Sequence, residues 1–194
     1  MKKVLIFLLI LSNLSFAAQN LPVNSKELDK ILDQAFENID RGNTQKGVLI
    51  LKKKISEDPT EIIYKAILGS IYDGAGRKDE AEKEFDEAVR LQEKYPFIAG
   101  DGKKYDIRFM IGMFYGFTED YTSALKWSNQ VDEKEYNEMF KDEPELKDFL
   151  FGTFNYNDGN PEEAKKYLFK SSIHDKEGLS ENVLGQIYFT EGNQ

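Results

Sequence analysis

IIYKAILGSIYDGAGRKDEAEKEFDEAVRLQEKY, residues 62–95, decides the architecture, because its spacing describes two helices joined by a turn. Leu68, Gly69 and Tyr72 fall on one helical stripe, Gly74 and Gly76 interrupt it, and Ala81, Phe85 and Ala88 form the stripe of a second helix. The small residues carry most of the information. A glycine at 69 facing an alanine at 81 lets two antiparallel helices approach closely, while Tyr72 and Phe85 fill the space above and below that contact.

Leu68, Gly69, Tyr72, Ala81, Phe85 and Ala88 all occupy positions of the tetratricopeptide repeat (TPR), and the stretch resembles that family's unit of about 34 residues. Lys65 stands where the family has Trp, and Pro96 falls a few residues beyond the family's Pro. The resemblance implies an all-α fold, a helix-turn-helix solenoid wound as a right-handed superhelix. Stacked pairs in such an array bury a face that no single pair could bury alone.

Outward from this unit the register repeats. A first repeat runs from Leu28 to Glu61, with Ala35 at the glycine position, Gly42 and Asn43 in the turn, Gly47 and Leu51 matching Ala81 and Phe85, and Pro59 at the family's Pro. The third starts near Tyr105, after nine inserted residues that include Pro96, Gly100, Asp101 and Gly102, a loop composition. It carries Ile111, Gly112, Tyr115 and Ala124; Ser128 replaces the second-helix aromatic, with Trp127 beside it as the expected substitute. A fourth starts near Glu145, after an excess in which Asp132 to Lys141 is expected as an extra helical turn. Gly152, Ala164 and Leu168 are its contact residues, and Asp158, Gly159, Asn160 and Pro161 read as stop, turn and first-turn proline. A fifth signature, Leu184, Gly185 and Tyr188, starts near 178 and supplies a first helix only. About four and a half repeats thus cover 28–194. The solitary helix is expected either as a cap with an exposed apolar flank of Val183, Ile187 and Phe189, or as the start of an array that continues.

Ahead of the array, Lys2 and Lys3 precede the apolar run Val4 to Leu11, and Ser15 and Ala17 are small residues two apart. This pattern predicts a secretory signal peptide over 1–17, cut after Ala17 or Ala18, then a lead-in over 18–27 and a periplasmic or secreted location. The run is about half the roughly 20 residues of a spanning helix, so no membrane span is expected after cleavage. The chain has no Cys, which excludes a lipid anchor on cysteine and disulfides; its stability must come from packing. Losing Lys2 and Lys3 takes the formal charge from −9 to −11, and no basic cluster offers contacts to a phosphate backbone, so nucleic acid is not an expected partner.

Catalytic, cofactor and metal sites are not expected, and the chain does not read as an enzyme. His174 lies in a loop-like stretch without a cysteine or a nucleophile elbow to serve. In NYNDGNPEE, taking Gly159 as the sixth residue of a calcium loop puts Phe154 and Tyr156 where carboxylates belong and Lys165 at the closing Glu. Gly100 to Lys103 lacks the ending and the preceding strand of a phosphate loop. Carboxylates such as Glu80 and Glu84 read as an acidic helix face.

A surface remains. In the resembling family the first helices line a concave groove, and the carry-over of groove positions gives Phe36, Phe109, Met113, Phe117, Phe149, Tyr156 and Phe189 as the partner-binding residues. None of the corresponding positions is Lys or Arg, so a clamp for a C-terminal carboxylate is not expected. The expected partner is a protein or peptide presenting an apolar, aromatic or amphipathic segment, with Phe109, Met113, Phe117 and Phe149 as anchors. The expected function is an exported interaction module or scaffold; the alternative is the interaction segment of a longer envelope or outer-membrane assembly factor.

Overall fold

A computed structural model of the protein describes residues 23–99 and 102–192. The expected signal peptide and the first half of the expected lead-in, together with Gly100 and Asp101, lie outside the described residues. Four helical hairpins carry the fold. Helix α1 (Val23–Asp40) pairs with α2 (Thr44–Glu57), α3 (Ile63–Gly74) with α4 (Lys78–Leu91), α5 (Ile107–Phe117) with α6 (Tyr121–Ser128), and α8 (Pro144–Asn157) with α9 (Pro161–Ser172). A short α7 (Glu133–Met139) joins the last two hairpins, and α10 (Leu179–Gly192) follows α9. Successive pairs stack, α2 on α3, α3 on α5, α6 on α8, and α10 on both α8 and α9. α1 begins at Val23, inside the stretch expected as an irregular lead-in, because Asn24 and Ser25 cost only about 0.5 kcal/mol each in a helix.

The turns inside the hairpins share one geometry. Gly42, Gly76 and Gly159 stand at φ +79°, +75° and +84°, where a glycine ends a helix at little cost. In the third hairpin Glu119 takes the equivalent place at φ +66° without being glycine.

The small-residue contacts are real, with a change of partner at Gly69 and at Gly152, the latter expected against Ala164. A Cβ added at Gly69 would lie 2.6 Å from Cε1 of Phe85, so the glycine receives the Phe85 ring, not Ala81. At Gly152 it would lie 2.6 Å from Cγ of Leu168, and at Gly112 it would meet Ser128 Oγ and, at 2.9 Å, the backbone oxygen of Ala124. Trp127 packs its edge on Phe85, ring centres 5.2 Å apart, and so bridges the third hairpin to the second as the substitute aromatic.

The core is one continuous cluster from Ile31 on α1 to Phe154 on α8, with a smaller cluster of Ala164, Leu168, Leu184 and Ile187 between α9 and α10. α5 is its centre: Ile107, Phe109, Met110, Ile111, Met113, Phe114 and Tyr115 are all buried, as befits a helix apolar all round. Asp106 caps it, accepting from the backbone N–H of Arg108 at 2.8 Å and from that residue's guanidinium at 2.9 and 2.5 Å.

Both insertions fold over α5. The first, expected as a loop, is a tight antiparallel hairpin, β1 (Phe97–Ile98) with β2 (Lys104–Tyr105), in which Phe97 lies opposite Tyr105 and both are buried. Alternation explains it, since Ile98 and Lys104 point outward. The second insertion forms α7 as expected, capped by the Asp132 side chain, which accepts from the Glu135 N–H. It buries Tyr136, Met139 and Phe140, and the Tyr136 hydroxyl donates to the Ser128 carbonyl at 2.7 Å. Lys103 pairs with Asp142 at 3.4 Å, and Lys104 with Glu135 at 3.9 Å, clipping one insertion to the other. These exposed pairs fix position and add little stability.

Candidate functional site

The expected groove does not exist along its whole length. Phe109 is 4 % exposed and packs against Tyr105, Tyr136 and Phe140, with ring centres 6.3, 5.9 and 5.4 Å away. Met113 is 7 % exposed. Both expected anchors are therefore core residues: the paired insertions cover the face of α5 at Phe109, and Met113 is buried in the same cluster. A Cβ at Gly116, another assigned groove position, would meet the Phe154 ring at 2.7 Å. Phe36 on α1 and Phe117 on α5 are half-buried and pack onto the main core.

The remaining three gather at the far end of the array. Phe149 and Tyr156 pack, with Val183, on the smaller cluster. Tyr156 also lines an open cleft of about 480 Å³ between α8 and α10, with Asn182, Gln186, Phe189 and Thr190 on the facing side and Glu181 and Gly185 along its edge. Phe189 is 74 % exposed. The structure thus brings Tyr156 and Phe189 together and leaves Phe36 and Phe117 elsewhere.

α10 is held in place by groups that the sequence reading passed over. Ser180 Oγ donates to Ser171 Oγ at 2.9 Å, and Ser171 Oγ donates to the Glu145 carbonyl at 2.8 Å, a buried relay that ties α10 through α9 to α8. Lys165 of α9 bonds Glu191 at 3.0 Å and lies 5.5 Å from the Tyr188 ring. Ahead of α10, the Asp175 carboxylate accepts from the backbone N–H groups of Glu177, Gly178 and Ser180. Desolvation alone would raise its pKa, but these hydrogen bonds, that of Ser180 foremost, hold it below the ordinary carboxylate value. Asp at 175 followed by Gly178 and Ser180 is a turn-and-cap signal that the sequence displays. His174 is exposed in this loop.

Among the described residues no group of three or more His, Cys, Asp or Glu side chains could hold a metal ion. No helix of the described residues is long and apolar enough to cross a membrane.

The family model of the tetratricopeptide repeat matches residues 64–95, which are α3, α4 and the residues just beyond. The chain contains a tetratricopeptide repeat. The glycines, turns and contacts of the matched unit recur in the hairpins on either side of it, so the same helix-turn-helix geometry extends from α1 to α9. TPR units form protein-interaction modules. A comparison with curated proteins finds no match.

Proposed function

We propose that this TPR protein is an exported interaction module that holds an apolar, aromatic or amphipathic segment of a partner protein at the α8–α10 end of its array. One observation carries the reading: the open cleft in which Tyr156 faces Phe189, two aromatic side chains at family groove positions, with Asn182, Gln186 and Thr190 as polar contacts beside them. Aromatic anchors with few polar neighbours are the usual makings of a binding hot spot. A buried area of about 300 Å² would supply roughly 7 kcal/mol before ordering costs, sufficient for a transient complex. Export rests on the leader pattern of 1–17, and a mature chain beginning after Ala17 or Ala18 in the exported fraction checks it.

The cleft is tested by peptide-display selection on the immobilised protein. Leucine- and aromatic-rich segments are expected to enrich, and the Tyr156→Ala, Phe189→Ala double variant is expected to bind them more than tenfold more weakly, about 1.4 kcal/mol. Its melting temperature should shift by no more than a few degrees, since Phe189 is exposed and Tyr156 half-exposed. Enrichment of polar or basic segments, or unchanged binding by the double variant, refutes this use of the cleft.

A further inference from the structure

In each of the three hairpins α3–α4, α5–α6 and α8–α9, two positions of the first helix are met by the second. The first is the glycine. Gly69 is met by Phe85, Gly112 by Ser128 and Gly152 by Leu168. The second lies four residues earlier and faces the residue two beyond that contact. Arg108 donates to the Gln130 carbonyl at 3.0 Å, and Lys170 lies 3.3 Å from Asp148. In α3–α4 the equivalent pair is Lys65 and Glu87. The Glu87 carboxyl is held below its ordinary value chiefly by its hydrogen bond to Arg90, with Lys65 among the cations that add to this.

On α10 the same two positions are Gly185 and Glu181. A Cβ built on Gly185 meets nothing within 4 Å, and Glu181 has no cation partner among the described residues. Tyr188, one turn further along the same stripe, is 48 % exposed. Phe169 and Ile173 on the α9 side are 52 % and 72 % exposed, so large apolar side chains border this end of the array. The stripe of Glu181, Gly185 and Tyr188 adjoins that of Asn182, Gln186 and Phe189, and its Glu181 and Gly185 also line the cleft.

We propose that α10 accepts, as the second helix of its unit, an amphipathic helix of another protein that sets a small residue near Gly185, a leucine or aromatic side chain four residues later against it, and a lysine or arginine six residues after the small one against Glu181. The spacing is that of the chain's own second helices, as in Ala164, Leu168 and Lys170 of α9, so the new interface continues the stacking already built between α8, α9 and α10. Charge selects the occupant. A second copy would bring two Glu181 carboxylates together and pair two chains of formal charge −9, whereas a basic helix neutralises both. The inference rests on the reading of the α8–α10 end, since Glu181 and Gly185 also line the cleft; Tyr156→Ala, on the α8 wall, should weaken capture in the cleft and leave this helix bound, which separates the failure of one from the failure of the other.

The probe is a labelled synthetic peptide with the sequence of residues 160–174, titrated against the full chain by fluorescence anisotropy. Saturable binding is expected, weakened at least tenfold by Gly185→Leu and by Glu181→Lys, with melting temperatures equal to or above that of the parent because the space at Gly185 is open. Peptide carrying Lys170→Glu should lose affinity for the parent protein and regain it for the Glu181→Lys protein. Leu49→Ala, at an exposed apolar residue on α2, should leave binding unchanged. Because the chain has no Cys, Gly185→Cys can also be trapped as a disulfide with peptide carrying Leu168→Cys, which reads out a weak complex. Absence of both binding and trapping, equal binding by Gly185→Leu, failure of the charge exchange to restore binding, a dimer of the chain that Gly185→Leu dissolves, or a helix following Gln194 in the same polypeptide that covers Gly185 would each overturn the proposal, the last two in favour of a second copy and of the chain's own continuation.

Discussion

Phe109→Ala is expected to unfold the protein more readily by about 3–5 kcal/mol, the usual cost of truncating a fully packed phenylalanine. The ring is 4 % exposed, and its neighbours come from both insertions: Tyr105 from the hairpin, and Tyr136 of α7 with Phe140 just beyond it. None of them can follow a shrinking side chain without pulling its own insertion inward. Tyr136 is tied by its hydroxyl to Ser128, and Tyr105 by its pairing with Phe97, so the cavity stays open. At roughly 2–4 °C per kcal/mol for a chain of this size, the melting temperature should fall by roughly 6–20 °C. Urea titration measures the same change as a lower midpoint with an unaltered slope. A loss below about 1 kcal/mol would show that the ring faces solvent and that α5 is an open groove wall after all.

Gly112→Ala should cost a further, smaller amount, about 1–3 kcal/mol net of the roughly 1 kcal/mol by which alanine favours a helix over glycine. The added Cβ meets Ser128 Oγ, an atom already buried without a hydrogen-bond partner, and lies 2.9 Å from the Ala124 oxygen and 3.2 Å from the Ser128 nitrogen. Two of these three are backbone, which no rotamer change can move. α6 would have to shift as a body, and the Tyr136 hydroxyl bond to the Ser128 carbonyl resists that. Gly185→Ala is the internal control, since no atom opposes its Cβ and only the helix-propensity gain remains. Thermal denaturation of the two variants side by side should therefore give changes of opposite sign; a fall of similar size in both would mean that close helix approach is not what Gly112 provides.

The helical pairing was legible because it depends on local spacing. Gly69, Gly112 and Gly152 announce close approach, and Gly76 and Gly159 announce left-handed turns, all within a few residues of the contacts they make. The insertions were legible in length and not in role. Phe97 and Tyr105 alternate with Ile98 and Lys104, and Tyr136, Met139 and Phe140 recur at three and four residues, so both segments signal one apolar face. What neither segment states alone is that the two faces meet over the same helix. α5 hinted at it, because IRFMIGMFYGF is apolar on every side and a groove wall needs one wetted face. For the candidate site, the groove positions assigned unit by unit fall in one open cleft at Tyr156 and Phe189, and in the core at Phe109 and Met113.

The cover over α5 also sets an order of events during synthesis. Phe140, which closes one side of the Phe109 ring, lies 31 residues further along the chain. At about 5–20 residues per second the ring stays wet for roughly 2–6 s after it is made, inside a helix with no polar face to turn outward. The otherwise local wiring of the array, in which each hairpin can form as it emerges, is thus interrupted at its middle by a step that must wait for a distant strip of sequence.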